Sequence, residues 1–570
     1  MKTNRTIVLA STFASIGALA GCSLVYGIGD YEEVPTSLDN EGGGADGAGS
    51  GEAAAPPECT TNQECTDRAT ARGPVDAGPD ASPRVLDGGI VPAVCVRSVG
   101  KCASLLSEDC DSVYGDYRND DAIVVASLLS MTGSLQRTNL PRQQSVLMAV
   151  EEINSSLGGG GIPSGEAGKP ARPLVLVTCN AAVDLARAGT HLVDELHVPA
   201  IVGPNLSQDT LDFTVKFSAK QTSVIMSPAA TASSIGSAAD SNMTWCMPPS
   251  DSQRAKLTVR QINDIEAYLH GSPSTPPGGV RNGSLKLAIV YRDDAFGQST
   301  SSSIAGSLNF NGASIADAAN TPFVKTFKYS PSSVQTQTDT ATALADFKPD
   351  VIALFGTSES VTNVLYPTEK LLEAREPGGS LRPYWAMIDP NKVKELTDGI
   401  GQAGVPASGN GNLRPRIRGT GVVTTAASAP VFATFNADYQ ARWGTNPRIA
   451  NMSTTYDITY AYAFALAATA KEPPSGTSVA KGLALLGTGT EIAVGRTTIL
   501  QAFQALGNGQ TINPLGSFGH LRWDQNGNIA EGLLDVWCIG TAAGQPTFAT
   551  SGMTMDISTQ DITGSYTPCN

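Results

Sequence analysis

Histidine is scarce in this chain of 570 residues, and its scarcity is the first limit on its chemistry. The four histidines, His191, His197, His270 and His520, stand in no metal-ligand spacing, and no HExxH occurs. Solvated or capping roles are expected for them, with no metal and no cofactor. No CxxC pair occurs, which removes the usual signal of a zinc ribbon or a thioredoxin-like centre. Positive charge is short as well: 38 Lys and Arg stand against 53 Asp and Glu, a formal charge of −15, with no long basic run. That balance argues against nucleic acid and anionic lipid as partners. Beyond the leader no apolar run approaches the ~18 residues of a membrane span. Catalytic motifs are present only in fragments. Gly356-Thr357-Ser358-Glu359-Ser360 lacks the last glycine of a nucleophile elbow, and is read as a binding loop. Glu166-Ala167-Gly168-Lys169-Pro170 lacks both the first glycine and the final hydroxyl residue of a phosphate loop, and is read as a surface hairpin. Asp293-Asp294 is expected to cap a helix. With no complete catalytic constellation, the chain is read as a binding protein and not an enzyme.

What is present begins with a leader. Lys2 and Arg5 form a basic start, Ile7 to Ala20 an apolar stretch too short to span a bilayer, and Leu19-Ala20-Gly21-Cys22 resembles a bacterial lipobox. Cys22 is therefore the expected lipidation site and first mature residue. Ser23, rather than Asp, favours the outer membrane in the lipoprotein pattern this resembles. Residues 22–58 have no apolar period and read as a tether, at most ~120–130 Å long when extended and roughly 30–35 Å on average as a coil. The GxGxxG at Gly42–Gly47 falls inside this stretch, follows no strand and is assigned no role. Ten cysteines in an exported chain imply disulfides. Setting Cys22 aside leaves an odd number, so at least one is unpaired or pairs between molecules. Five of them, Cys59, Cys65, Cys95, Cys102 and Cys110, mark residues 59–112 as a small stapled module, interrupted by a Pro/Gly-rich stretch from Ala71 to Val91.

From Asp121 the pattern becomes regular. Ala122–Leu129 is a continuous apolar run, as a buried parallel strand should be. A helix is expected from near Pro141, with Val146, Leu147, Val150 and Ile153 at helical spacing. Strand then helix recurs at Leu174–Thr178 and Asp184–Leu196, and strands again at Val198–Val202 and Val224–Met226. A long helix runs to Leu269, and a second series carries runs at Leu285, Phe323, Asp350–Phe355 and Pro383–Ile388. Alternating strands and helices predict parallel sheets with right-handed crossovers. Later come a helix around Val431–Trp443, a buried helix over Tyr456–Ala470, and two strands around the turn Asp524-Gln525-Asn526-Gly527.

The informative stretch is Val198 to Thr231, VPAIVGPNLSQDTLDFTVKFSAKQTSVIMSPAAT. Two strands end side by side at turns carrying Ser207, Ser227 and Thr231. These hydroxyls face the crevice at the carboxyl ends of the strands, where open α/β sheets bind ligands. Hydroxyls and orphan N–H groups at a helix start suit a carboxylate. VGP…S followed by SPAAT resembles the type I periplasmic binding proteins of the leucine/isoleucine/valine class. SMTGSLQ, EEIN…GGI, KLAIVYRDDAFGQS, PDVIALFGTSES, FNADYQARWGTNP…TYDITYAYAFALA and LRWDQNGN extend the resemblance over about residues 121–540 in the family's order. The chain departs from the family at Cys179-Asn180, where many members carry an acidic residue, and at Phe296, where many carry Tyr. Glu359 lies near the position that commonly takes the ligand amine.

The resemblance implies an α/β fold of two doubly wound lobes joined by a hinge. The expected divisions are a signal peptide (1–21), the tether, the cysteine module, lobe 1 over 113–250, lobe 2 over 251–382, lobe 1 again over 383–510, and a closing hairpin and tail over 511–570. It implies ligand contacts at Thr132, Ser207, Ala229, Ala230, Thr231, Phe296 and Glu359. The expected function is capture of a small ligand, an amino acid or related carboxylate or amide, for an inner-membrane ABC importer. A non-transport sensor or outer-membrane envelope regulator on the same fold is the alternative.

Overall fold

The computed structural model describes residues 57–73, 86, 89–156, 160–166, 168–276, 278–379, 381–447 and 449–569. The leader, Cys22 and almost all of the tether lie outside the described residues, as does most of Ala71–Val91.

Six strands form the first sheet: β1 (Cys110–Tyr114), β2 (Ile123–Leu129), β3 (Leu174–Asn180), β4 (Ala200–Val202), β5 (Val224–Ser227) and β6 (Thr244–Cys246). Their order is β1-β3-β2-β4-β5-β6, with β1 antiparallel and the other five parallel. Eight strands form the second: β7 (Leu287–Arg292), β8 (Val324–Tyr329), β9 (Val351–Phe355), β10 (Tyr384–Ile388), β11 (Ile417–Val423), β12 (Leu533–Ala542), β13 (Gln545–Asp556) and β14 (Ile562–Thr563). Their order is β8-β7-β9-β10-β11-β12-β13-β14. The first five are parallel and the last three join antiparallel. Counted from its own first parallel strand, each sheet runs 2-1-3-4-5. Each therefore has one point where the winding reverses, between β2 and β4 in the first and between β7 and β9 in the second.

The apolar runs alternate between two buried faces. In the first sheet Val125, Leu174 and Leu176 join one hydrophobic cluster, and Ala126, Leu128, Val175 and Val177 join the other. In the second, Leu287 and Ile289 face one way and Ala288 and Val290 the other. Burial on both faces explains why these segments read as unbroken apolar runs.

Several expected boundaries move. The first long helix, α1 (Gly133–Asn154), starts before Pro141 and carries that proline inside it. β10 and β11 belong to the second sheet, so lobe 2 extends past residue 382 to about Val423. The chain returns to lobe 1 with the helix Ala429–Trp443, whose Val431, Phe435 and Tyr439 join the first lobe's cluster. The turn at Asp524–Gly527 is flanked by a single bridge, Trp523 to Ile529, and not by two full strands. The true hairpin is β12–β13, and it sits between the lobes. Leu534 and Val536 join the first lobe's cluster, while Trp537 and Ile539 join the second lobe's.

The cysteine module is not separate. Disulfides Cys59–Cys95 and Cys65–Cys102 staple the helix Asn62–Arg72 to a hairpin, Ala93–Val96 with Lys101–Ser104. Val94 and Val96 of that hairpin pack into lobe 1. The fifth cysteine of the group, Cys110, bonds Cys179 across β1 and β3, and Cys538–Cys569 ties down the C-terminal tail. Cys246 is the free cysteine among the described residues, and burial pushes its thiol up to about 12.

Candidate functional site

Helix α2 (Ser207–Phe217) follows β4, and its N-cap is Leu206, not Ser207. Ser207 is left to reach across to the neighbouring turn. Its Oγ accepts hydrogen bonds from Thr231 N at 3.1 Å and Ala232 N at 3.3 Å. Ser227 braces the same turn: its Oγ donates to Pro204 O at 2.6 Å and accepts from Ala230 N at 3.0 Å. The N–H groups of the Ser-Pro-Ala-Ala-Thr turn are thus held by two serine hydroxyls rather than left open. Across the reversal point, Asn205 Oδ1 accepts from Ser130 N at 2.9 Å. Asn180 Oδ1 accepts from Met131 N at 2.8 Å, so the residue that departs from the family pattern braces the loop that follows β2.

Asp209, in the first turn of α2, accepts from Ser130 Oγ at 3.3 Å. Burial pushes its carboxyl up to about 6, against the Ser130 hydrogen bond and the attraction of Arg292. Arg292 ends β7 at the reversal point of the other lobe. Its Nε lies 2.6 Å from Asp294, and a second nitrogen lies 3.2 Å from Thr357 Oγ1 and 3.5 Å from Glu359. Burial works against its charge, but Glu359 and Asp294 outweigh that and its pKa is raised. Glu359 Oε1 also accepts from Tyr329 Oη at 2.9 Å and Thr357 N at 3.2 Å, and Oε2 takes the Thr357 hydroxyl. Burial, with Glu359 beside it, holds the Tyr329 phenol protonated well above its ordinary range. Gly356 permits this approach, since a Cβ there would lie 2.1 Å from Tyr329 Oη.

The lobes meet directly. Helix α3 (Asp251–Leu269) starts in lobe 1, where a Ser250–Gln253 capping box opens it, and packs Ile262, Ile265 and Leu269 on the second sheet. Helix α4 (Ala295–Ala305), capped by Asp294, presents Ala295 to a cluster of Ala230, Ala232 and Ile235, and Ser299 Oγ accepts from Ser233 N at 2.9 Å. Asp251 is buried there. Burial pushes its carboxyl up to about 6, opposed by Arg254 and the hydroxyls of Ser299, Thr231 and Thr300. At the rim Arg137 pairs with Glu395 at 3.2 Å.

The residues read from the sequence divide into three groups. Ser207, Ala229, Ala230 and Thr231 come together at the meeting of α2, α4 and the turn. Glu359 sits in the Arg292 cluster opposite. Thr132 is the exposed N-cap of α1, and Phe296 is buried in the second lobe's core with Ile289 and Phe355. Ser130, Asp209, Asp251, Arg292 and Tyr329 were not read as site residues. Ser130, Arg292 and Tyr329 end parallel strands or directly follow them, which is the signal that could have found them. The histidines lie apart, His191 on Glu195, His197 on Ser98, His270 on the Arg281 carbonyl, and His520 on Glu491 and Glu531. Among the described residues the one cluster close enough to hold an ion is Cys59, Cys65 and Cys102, whose sulfurs are in disulfides.

Two 2-1-3-4-5 sheets, three connections between lobes and polar groups gathered at both reversal points define a two-lobed α/β binding protein. The periplasmic binding protein family model matches residues 122–504, and the chain belongs to that family. Among solved structures the fold is similar to the leucine binding protein LivK of Thermotoga maritima MSB8, at 17% identity and TM-score 0.51, covering 75% of this chain and 98% of that one. It is also similar to an ABC-transporter solute binding protein of Rhodopseudomonas palustris BisB5 in complex with 3,4-dihydroxybenzoic acid, at 13% identity and TM-score 0.50, covering 75% and 96%. Among curated proteins, none matches the sequence. The family is one of extracytoplasmic binding proteins rather than enzymes. Among the described residues no helix is long and apolar enough to cross a membrane.

Proposed function

We propose that this protein is an extracytoplasmic solute-binding lipoprotein, anchored through Cys22, that captures a small carboxylate between its lobes for ABC-type import. The observation that carries the reading is the placement of Arg292, a buried cation, at the reversal point of one sheet, opposite Ser207 and Asp209 at the reversal point of the other. A ligand bridging both would favour lobe closure, because it binds the closed state better than the open one. Ser207, Thr231 and Thr132 supply hydroxyls, and Ala229 and Ala230 leave the turn backbone close to the ligand. The two relatives named above are described by leucine and by dihydroxybenzoate, ligands that share a carboxylate on an apolar body. Glu359 fits the reading as the partner of Arg292 and Tyr329. As a site for an ammonium it is already engaged, which leaves Asp209 to face any amine the ligand carries. Native mass spectrometry of protein purified from its own envelope tests this. The expected result is a small acid released on denaturation. Release of a cationic or uncharged compound alone would contradict it.

The alternative, a sensor or regulator at the outer membrane, rests on Ser23 and the tether length. Crosslinking in intact envelopes separates the two, since an importer reading requires capture of inner-membrane permease subunits.

A further inference from the structure

We infer that lobe 1 carries a second ligand site, for a neutral saccharide, at the end of its sheet opposite the cleft. A cavity of about 530 Å³ opens at the amino-terminal ends of β5 and β6, within the usual size range of small-molecule sites. Its walls are the turn before β6, the turn Asp524–Gly527 and the helix Gly476–Ala484. The turn from 524 is pressed against β6, and only glycine fits at 527: its φ is +71°, and a Cβ would lie 2.3 Å from the Thr244 carbonyl.

Two of the chain's five tryptophans meet in this wall, Trp245 and Trp523, with ring centroids 5.5 Å apart and planes nearly perpendicular. Both indole N–H groups are committed to backbone carbonyls, Trp245 to Asn242 at 3.0 Å and Trp523 to Cys246 at 3.1 Å. Trp245 is 7% exposed and packs in the lobe 1 core, so the hydrocarbon surface open to a ligand is that of the half-buried Trp523.

The polar groups divide sharply. Each charged group in the wall has a partner, but among the described residues neither aspartate is paired with a cation. Asp240 accepts from Asn242 N and Thr244 N, Asp524 accepts from Asn526 N and Asn528 N, and Lys481 is paired with Glu472. The side-chain amides of Gln221, Asn242, Gln525 and Asn526 make no hydrogen bond to any described residue. The site thus presents aromatic carbon, four uncommitted amides, each with a donor and an acceptor, and two carboxylates that can accept from hydroxyls. A sugar matches both features. Its C–H face packs on an aromatic ring, and adjacent hydroxyls pair with an amide's C=O and NH2. A nucleotide or another anion would meet those two carboxylates with no free cation beside them. This site does not depend on the ligand proposed for the cleft, because the two lie at opposite ends of the strands.

The test is saturation-transfer NMR on the purified mature chain with glucose, N-acetylglucosamine and their β-1,4-linked dimers, alongside tryptophan fluorescence titration. The expected result is transfer concentrated on the protons of one sugar face, with a saturable fluorescence change. The double variant Gln525→Ala/Asn526→Ala alters exposed turn side chains, and its folding is checked by circular dichroism. It is expected to weaken binding about tenfold, the scale of losing one or two neutral hydrogen bonds. No transfer from any of these sugars to the folded protein, an unchanged response in the double variant, or a response to short peptides in place of sugars would each overturn the proposal.

Discussion

Ser207 Oγ lies 3.1 Å from the backbone nitrogen of Thr231, and this contact joins two turns that are 24 residues apart in sequence. The serine does not cap its own helix. It fixes the spacing of the two turns that frame the lobe 1 half of the cleft. Ser207→Ala leaves the buried N–H groups of Thr231 and Ala232 without their acceptor, at a cost of ~1–3 kcal/mol in unfolding stability. Thr231→Ala removes a hydroxyl without disturbing that pair. It is expected to spare stability more than Ser207→Ala does while weakening ligand affinity. Chemical denaturation beside titration calorimetry separates the two effects.

Arg292 and Glu359 form the corresponding brace in lobe 2. Arg292→Met leaves Glu359 and Asp294 facing each other without their cation. Breaking a fully buried pair costs ~3–5 kcal/mol. Glu359's side chain is 18% exposed, so the lower end of that range is expected. Adding Glu359→Gln should recover part of the loss. A double-mutant cycle by urea denaturation checks it, and additive losses would show that the two residues do not act as a pair.

Asp457 lies in α5 (Met452–Ala468), fully buried, and accepts from Ser517 N at 2.8 Å and Ser517 Oγ at 2.7 Å. Burial pushes its carboxyl up to about 7 despite those two hydrogen bonds. A raised carboxyl binds its proton more tightly in the folded state. Its favourable contribution is full below the unfolded pKa near 3.9 and is lost as pH rises through about 7. Asp457→Asn keeps an acceptor for both donors. The variant should flatten the decline in Tm between about pH 4 and pH 7 (the window set by those two pKa values), with the largest gain over wild type at the alkaline end. A parallel decline in both proteins would contradict this.

Cys110–Cys179 closes a loop with a sequence separation of 69 and fastens the edge strand β1 to β3. Replacing both cysteines with serine should cost ~4 kcal/mol by loop entropy, read as a fall in the denaturation midpoint. Because Asn180 follows Cys179 directly and holds Met131, the same variant should also weaken ligand binding.

The parallel strands were legible because both of their faces are buried, which leaves an unbroken apolar run in the sequence. β11 was not, because Arg418, Gly419 and Gly421 interrupt the run in IRGTGVV. Tertiary packing accounts for all three. Arg418 lies 3.7 Å from the Tyr566 ring, a Cβ on Gly419 would strike the Trp537 ring, and one on Gly421 would strike Asp389. Missing that strand put the lobe boundary near residue 382. The start of α1 was missed because Pro141 reads as a first-turn proline, although the helix accommodates it a little over two turns in. In the site, the Ser207 and Thr231 turns were visible as hydroxyls beside two strand ends. Arg292 and Tyr329 were not, since a polar residue ending a strand looks like an edge charge until the strand order places it at a reversal point.

The most direct test is a thermal-shift screen of the mature chain, stripped of carried-over ligand, against small carboxylates, amino acids, amides and uncharged analogues of each. A ligand at ~100 times its dissociation constant adds about 2.7 kcal/mol to the folded state. The expected result is a rise in Tm with carboxylates that is absent with the matching uncharged analogues and reduced in Ser207→Ala. Stabilisation by the uncharged analogues equal to that by the acids, or no response to any compound from folded protein, would contradict capture of a carboxylate between the lobes.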